Sequence, residues 1–151
     1  MSTQISYMEM ALEEARKAAE RGEVPVGAVL VDTRAGTIVA RAGNRTEEDH
    51  DPTAHAELLV IRMASHARGM TRLTDYDLYV TLEPCTMCAA ALSMARIRRL
   101  YFAAYDPKGG GVEHGAQFFQ QPTCHHAPEV YGGVCETEAS ELLRSFFAER
   151  R

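Results

Sequence analysis

Apolar residues near the start of the chain recur at the spacing of an amphipathic helix. At positions 8–19, apolar side chains fall three and four residues apart, which predicts a first helix. Ser6 and Glu9 match a capping box at its start, and Gly22 followed by Pro25 indicates its end. The chain is therefore expected to open with a helix that has one apolar face.

Runs rich in β-branched and aromatic residues alternate with further helical segments through the rest of the chain. Two of them, VGAVLVD and GTIVARAG, predict a hairpin joined by the turn TRAG. The elements predicted next are a helix capped by Asp51 or Thr53 and ended by Gly69, a strand at 77–82, an apolar helix from Cys85 to Ala95 and a strand at 99–105. An irregular segment from Asp106 to Tyr131 follows, with a short strand as an alternative before the final helix from about Thr137 to Arg150. This order predicts one α/β domain over residues 1–151, with a mixed sheet between helices.

The composition is that of a soluble globular protein, and it narrows the possible chemistry. Of 151 residues, 46% are apolar and 25% are charged. No secretory signal pattern is present, and the least polar stretch, MCAAALSMA, is about half a bilayer span. We therefore expect a cytoplasmic protein without a membrane partner, in which four reduced cysteines indicate a metal or catalysis.

The net charge of −5, without a basic tail, disfavours nucleic-acid binding except through a local patch.

A pair of cysteines, Cys85 and Cys88 in the stretch EPCTMC, carries the first chemical signal. Residues three apart on a helix share a face, so both thiolates can bind one metal ion from the first helical turn. The positive end of the helix also favours thiolates there. A structural zinc site and a redox dithiol are the alternatives, but Cys124 and Cys135 do not form a second pair at similar spacing.

His55 and Glu57, in the stretch TAHAE, supply the missing parts of a metal site. One histidine and two cysteines leave the fourth position of a tetrahedral zinc ion to water, which is typical of a catalytic site, and Glu57 is then a candidate general base. Taken singly, the two residues read as a surface histidine and a solvated first-turn acid, but H-x-E followed by P-C-x-x-C is the signature of zinc deaminases. One difficulty is that side chains two residues apart on a regular helix point about 200° apart.

At these residues the chain resembles the cytidine deaminase superfamily, and within it the bacterial tRNA-specific adenosine deaminases. The resemblance rests on EVPVGAVLV at 23–31, GNR at 43–45, HDPTAHAE at 50–57, LYVTLEPCTMCAAA at 78–91, RIRRLYFAAYDPKGG at 96–110 and LLRSFFAERR at 142–151. It implies a three-layer α/β/α cytidine deaminase-like fold with a mixed sheet of about five strands. It also implies one Zn2+ per subunit on His55, Cys85 and Cys88, with Glu57 as the proton shuttle.

The resemblance further implies which residues contact the substrate. These are Asn44 at the nucleoside, the backbone of Ala56, Glu83 and Pro84 at the base edge, Asp106 and Lys108 at the flanking nucleotides, His125 in the irregular segment, and Phe146, Phe147, Arg150 and Arg151 near the RNA. Without the resemblance, Asn44 is equally a turn residue, and the two phenylalanines are core anchors of an amphipathic helix. One departure is visible, because relatives commonly carry an Asn-His pair where this chain has His125 and His126.

The activity that the resemblance implies is hydrolytic deamination of adenosine 34, the wobble position of tRNA, to inosine. Zinc-activated water and the Glu57 proton shuttle would perform it on a base that has left its stack. The implied partners are the tRNA anticodon loop and a second copy in a homodimer, with no DNA.

Two alternatives stay open. A deaminase of a free base or nucleoside (guanine, cytosine or cytidine) is slightly favoured by the acidic charge, and an intact Glu57 argues against a non-catalytic zinc-stabilised RNA-binding subunit.

Overall fold

The computed structural model describes residues 2–150 and shows one β-sheet with helices packed on both of its faces. The helices are α1 Thr3–Glu20, α2 Ala56–Arg68, α3 Thr86–Ala95 and α4 Glu136–Ala148, with a 3-10 turn at Phe118–Gln120, and the strands are β1 Gly27–Asp32, β2 Thr37–Gly43, β3 Tyr76–Leu82, β4 Arg99–Ala104 and β5 Glu129–Gly132. Among these described residues, none of the helices has both the length and the apolar character to cross a membrane.

The sheet is mixed, with the strand order β2-β1-β3-β4-β5. Strand β1 runs antiparallel to both β2 and β3, whereas β4 runs parallel to both β3 and β5. The hairpin of β1 and β2 and the expected mixed sheet of about five strands are therefore confirmed. The parallel strands β3 and β4 end side by side, at Leu82 and Ala104. In α/β sheets, ligands bind in the crevice beyond such carboxyl ends.

Successive strand residues point to opposite faces of the sheet, and each face carries its own core. On one face, the register partners Leu30, Leu78 and Leu100 are buried in the same cluster as residues of α2 and α3. On the other face, Tyr79 and Tyr101 are buried with residues of α1 and α4. Two helices on each side of the sheet make the expected three-layer α/β/α fold, which is confirmed.

Two of the predicted helix starts were wrong. Helix α1 begins at Thr3, and the hydroxyl of Ser2 accepts the Ile5 N–H at 3.2 Å, so Ser6 and Glu9 lie inside the helix instead of capping it. Helix α2 begins at Ala56 with His55 as its N-cap residue, so neither Asp51 nor Thr53 caps it. The Asp51 carboxylate instead accepts the Thr53 N–H and hydroxyl at 2.9 and 2.7 Å, closing a turn before the helix.

The predicted end of α2 is confirmed. Gly69 follows the helix in the left-handed conformation, with φ 63°, and its N–H donates to the Ser65 carbonyl. Helix α3 ends in the same way, but the left-handed position is taken by Arg96 with φ 62°. That position carries no glycine signal in the sequence.

Candidate active site

Three potential metal ligands come together beyond the carboxyl end of β3. The ligand atoms of His55, Cys85 and Cys88 all lie within 4.8 Å of one another. His55 Nδ1 is 3.7 Å from Cys85 Sγ and 3.5 Å from Cys88 Sγ. Tetrahedral zinc, with Zn–S near 2.3 Å and Zn–N near 2.0 Å, needs N···S separations of about 3.5 Å. The donor set and its spacing therefore fit a zinc ion, and three protein ligands leave one tetrahedral position for a water or substrate.

The helix starts explain how these side chains converge. His55 and Cys85 are the N-cap residues of α2 and α3, and both have extended backbone, with ψ 148° and 172°. Because His55 lies outside the helix, the angle of about 200° between helical side chains two apart does not separate it from Glu57. Cys88 sits in the first turn of α3, three residues after Cys85. The positive ends of two helices therefore face the same group of ligands, which favours thiolates there.

The pKa values of the two cysteine thiols are shifted in opposite directions. A hydrogen bond from Cys88 lowers the pKa of Cys85 to about 4. The pKa of Cys88 is raised, because its proton is donated to Cys85 and because the side chain is buried. The hydrogen bond to Cys85 raises the pKa of His55. A divalent cation takes the place of such protons, so the group is suited to exchange protons for a metal ion.

Glu57 lies beside the three ligands in the first turn of α2 and is 4% exposed. Burial raises the pKa of this carboxyl group to about 7. A group with a pKa near neutrality can both accept and donate a proton at physiological pH, as a general acid–base residue must. The position and the pKa of Glu57 are therefore those of a proton carrier next to the metal ligands.

A pocket of about 310 Å³ opens over this group. Of the residues predicted to form the site, it is lined by Asn44, His55, Glu57, Glu83, Cys85 and Asp106. It is also lined by residues that the sequence did not single out, namely Val24, Val26, Thr46, Leu82 and Gly109. Val26 begins the run VGAVLVD that predicts β1, and Val24 lies two residues before it. Periodicity alone does not show that either valine faces a cavity. The pocket combines apolar walls with a few polar groups, as ligand sites commonly do.

Asn44 has a structural role at this pocket. Its side-chain Oδ1 accepts the N–H of Ala56 at 2.9 Å, which satisfies one free donor at the start of α2. The amide NH2 of Asn44 is then the donor that this side chain can offer to a ligand.

The main-chain groups predicted at the base edge are partly engaged within the protein. Ala56 donates its N–H to Asn44, Glu83 donates its N–H to Ala104, and Pro84 accepts the N–H of Gly111 at 2.8 Å. Contacts from Ala56, Glu83 and Pro84 to a base stay predictions. Ala56 and Glu83 would have to use their carbonyl oxygens, and Pro84, which has no N–H, would have to accept a second hydrogen bond at the same carbonyl oxygen.

A second cavity, of about 670 Å³, lies against the C-terminal helix. Its lining is formed by Lys108, Leu143, Arg144, Phe147, Ala148 and Arg150. The two phenylalanines differ, because Phe146 is 7% exposed in the core and Phe147 is 48% exposed. The Arg150 guanidinium stacks on the Phe146 ring, 3.5 Å from its centre.

The segment from Asp106 to Gly109 connects the two cavities. Asp106 and Gly109 line the smaller pocket, and Lys108 between them lines the larger cavity. His125 is exposed and belongs to the lining of neither. Its neighbour His126 bonds through Nε2 to the Ile97 carbonyl at 2.7 Å. Arg151 lies outside the described residues.

Fold and site together define a class, the zinc-binding deaminases of cytidine deaminase fold. Residues 1–104 match the family described as "Cytidine and deoxycytidylate deaminase zinc-binding region". A tRNA-specific adenosine deaminase of Agrobacterium fabrum is 64% identical over 151 residues, covering 100% of this chain and 98% of the relative. The chain belongs to the family of tRNA-specific adenosine deaminases within that class.

Solved structures agree with this assignment. One, from a study of A-to-I editing by tRNA:A34 deaminases at the wobble position of transfer RNA, has a TM-score of 0.89 and 65% identity, and it covers 91% of this chain and 99% of that one. A guanine deaminase from Nitrosomonas europaea has a TM-score of 0.85 at 22% identity, covering 98% of this chain and 86% of that one. The second similarity concerns the fold alone.

Proposed function

We propose that this protein hydrolytically deaminates adenosine 34 in the anticodon loop of tRNA to inosine, and that one domain over residues 1–151 does so. The observation that carries the proposal is the 64% identity, over the whole chain, to a tRNA-specific adenosine deaminase. The grouping of His55, Cys85 and Cys88, with Glu57 in the adjoining pocket, supports a zinc-dependent hydrolysis. The reaction consumes one water and releases ammonia.

The residues in and beside the smaller pocket have separate roles in the proposed reaction. His55, Cys85 and Cys88 would hold the zinc ion, which when bound activates water for hydrolysis. Glu57 takes a proton from the attacking water and delivers it to the ring nitrogen next to C6. It then carries a proton to the departing amino group, so that ammonia leaves and inosine remains. Burial raises the pKa of Glu57 and so favours its protonated form, which lets the group donate as well as accept a proton.

The two cavities suit different parts of the RNA substrate, one the extruded target base and the other the neighbouring nucleotides. We assign the target base to the smaller pocket, where Asn44 and Asp106 offer polar contacts. The larger cavity presents Lys108, Arg144 and Arg150 beside the exposed ring of Phe147. Cationic side chains neutralise phosphates, and an exposed ring can stack on an unpaired base. This is the local basic patch that a chain of net charge −5 needs for RNA binding.

We also propose a cytoplasmic homodimer. Helix α3 exposes two methionines, Met87 and Met94, the latter to 76%. Exposed apolar side chains on one short helix are the kind of surface that a second copy can cover. The mass of the protein in solution, measured by light scattering, checks this, and a monomer at micromolar concentration would contradict it.

The test of the proposed function offers one purified enzyme several substrates in parallel. These are an arginine tRNA with an ACG anticodon, the same tRNA with G at position 34, and free adenosine, cytidine, guanine and cytosine. Inosine at position 34 of the first tRNA, with no ammonia from the other substrates, supports the proposal. Ammonia from a free base or nucleoside alone would establish the alternative deaminase, and no turnover of any substrate would point to the non-catalytic subunit.

A further inference from the structure

Two buried glutamates flank the smaller pocket without belonging to the chemistry assigned above. Glu23 is 1% exposed and Glu83 is 2% exposed. An isolated buried carboxylate is very unfavourable unless hydrogen bonds compensate for the lost water. Their partners therefore indicate what these two charges do in the protein.

Glu23 ties the chain before β1 to the segment after β2. Its Oε1 accepts the Thr46 hydroxyl at 3.3 Å and the Glu47 N–H at 3.2 Å, and its Oε2 accepts the Glu48 N–H at 2.8 Å. Next to it, Asn44 donates its N–H to the Val26 carbonyl at 3.0 Å. Val26, Asn44 and Thr46 all line the pocket. This wall of the pocket is therefore joined through Glu23.

Glu83 does the same for a second wall of the pocket, which contains Asp106. Its Oε1 accepts the Asp106 N–H at 3.0 Å and lies 2.8 Å from His114 Nδ1. Its Oε2 accepts the N–H groups of Val112, Glu113 and His114 at 3.2, 2.9 and 3.1 Å. One carboxylate thus fixes a loop that begins at Asp106, a residue of the pocket lining.

The fit between this loop and Glu83 also requires a glycine. A side chain at Gly110 would overlap the Glu83 carboxylate, so the loop can close on the charge only where no Cβ is present. The loop and the carboxylate are therefore shaped to each other over a separation of 23 to 31 residues in the sequence.

We propose that Glu23 and Glu83 are positioning residues, which hold the two walls of the pocket at the spacing that the target base requires. The proposal rests on the function proposed above. The carboxylate of each glutamate acts through the backbone of a loop and not on the base itself. A displacement of about 1 Å in groups that orient a substrate can lower the rate about 100-fold. The need for rigid walls therefore explains why two carboxylates are buried beside the pocket.

The competing explanation is that these glutamates only stabilise the fold. Asp77 offers a matched control, because it is also buried, at 4% exposed, and also satisfied, by the Arg98 guanidinium at 2.9 and 2.7 Å. It lines a different cavity, at the other end of β3. Asp77→Asn removes a buried charge of the same kind without touching the walls of the pocket.

The experiment compares Glu23→Gln, Glu83→Gln and Asp77→Asn with the wild type. Three measurements are made at a temperature where circular dichroism shows all four folded: zinc per chain, kcat and KM on the tRNA, and amide hydrogen exchange. For the two glutamine variants we expect unchanged zinc and a kcat/KM about 10-fold or more lower, mainly through kcat, because the base still binds but is no longer held in line for attack. Exchange should quicken at residues 47 and 48 in the first, and at 106 and 112–114 in the second. Asp77→Asn should stay within about 2-fold in kcat/KM.

The inference is overturned if the glutamine variants match Asp77→Asn in kcat/KM, or if their activity falls only in proportion to lost zinc. If either fails to fold, Glu23→Asp and Gly110→Ala take their places. The first keeps the charge and shortens its reach, and the second displaces Glu83 without changing it. Should the wild type leave tRNA unchanged, the proposed function has failed, and hydrogen exchange still decides whether the two glutamates hold the walls.

Discussion

His55 and Glu57 reach the same pocket because only Glu57 belongs to helix α2. The residue types at the site were readable from the sequence, since H-x-E and P-C-x-x-C specify nitrogen and thiolate donors beside a carboxylate. Their directions were not readable, because they depend on a helix start that shifts by a few residues according to contacts elsewhere. The Asn44–Ala56 hydrogen bond, across 12 residues, is such a contact.

Glu57 is expected to be needed for turnover and not for metal binding. Glu57→Gln removes the proton carrier while keeping the size of the side chain. We expect kcat on the tRNA to fall about 100-fold to 10,000-fold, the usual contribution of general acid–base catalysis. Zinc per chain, measured by elemental analysis, should stay at the wild-type value.

The control for Glu57→Gln is Glu9→Gln, an exposed position on α1. It should leave kcat unchanged. Turnover that survives Glu57→Gln with zinc still bound would show that another group moves the proton.

At the scale of elements, helix α1 packs so closely on β1 that the contact is made by backbone. A Cβ at Gly27 would overlap the Ala11 carbonyl and the Ala15 N–H of α1. Gly69 is the opposite case, because its surroundings are open and only its positive φ of 63° favours glycine. The sequence shows a glycine at both positions. It does not show that one glycine is required by packing and the other by backbone conformation.

Replacing these two glycines by alanine should therefore have unequal effects on the free energy of unfolding. We expect Gly69→Ala to lower it by about 1 kcal/mol, the strain of a left-handed alanine. Gly27→Ala should lower it by about 3 kcal/mol or more, because α1 must move off the sheet. Urea unfolding followed by circular dichroism measures both, and equal losses would contradict the backbone contact at Gly27.

At the scale of the whole molecule, neither of the two hydrophobic cores on the faces of the sheet includes the three candidate metal ligands. We therefore expect zinc removal by a chelator to leave the helical circular dichroism intact while lowering Tm. The stabilisation by zinc is about 2.7 kcal/mol when free zinc is 100 times its Kd. A loss of helical signal on chelation would contradict this expectation.

Zinc affinity should in turn depend on pH. The metal-free group binds more protons than the metal-bound group, because the pKa of Cys88 and that of His55 are raised. Lower pH therefore favours the metal-free form. We expect the association constant to rise about tenfold or more per pH unit between about pH 6 and 8. Competition titrations at three pH values check the sign, and a constant affinity would show that no proton is displaced.

The sequence by itself predicted the His–Cys–Cys group as candidate metal ligands, the order of the helices and of the first four strands, and a mixed sheet between helices. These follow from periodicity and from side-chain chemistry, which are local properties of the chain. Only the tertiary structure decided that Phe147 is exposed and Phe146 buried, and that Glu23 and Glu83 join the walls of the pocket. A single charge within an apolar run, as in GEVPV and VTLEPC, was the signal available for the two glutamates. Most of their partners are backbone N–H groups more than 20 residues away. Every residue but proline has such a group, so no sequence pattern identifies these partners.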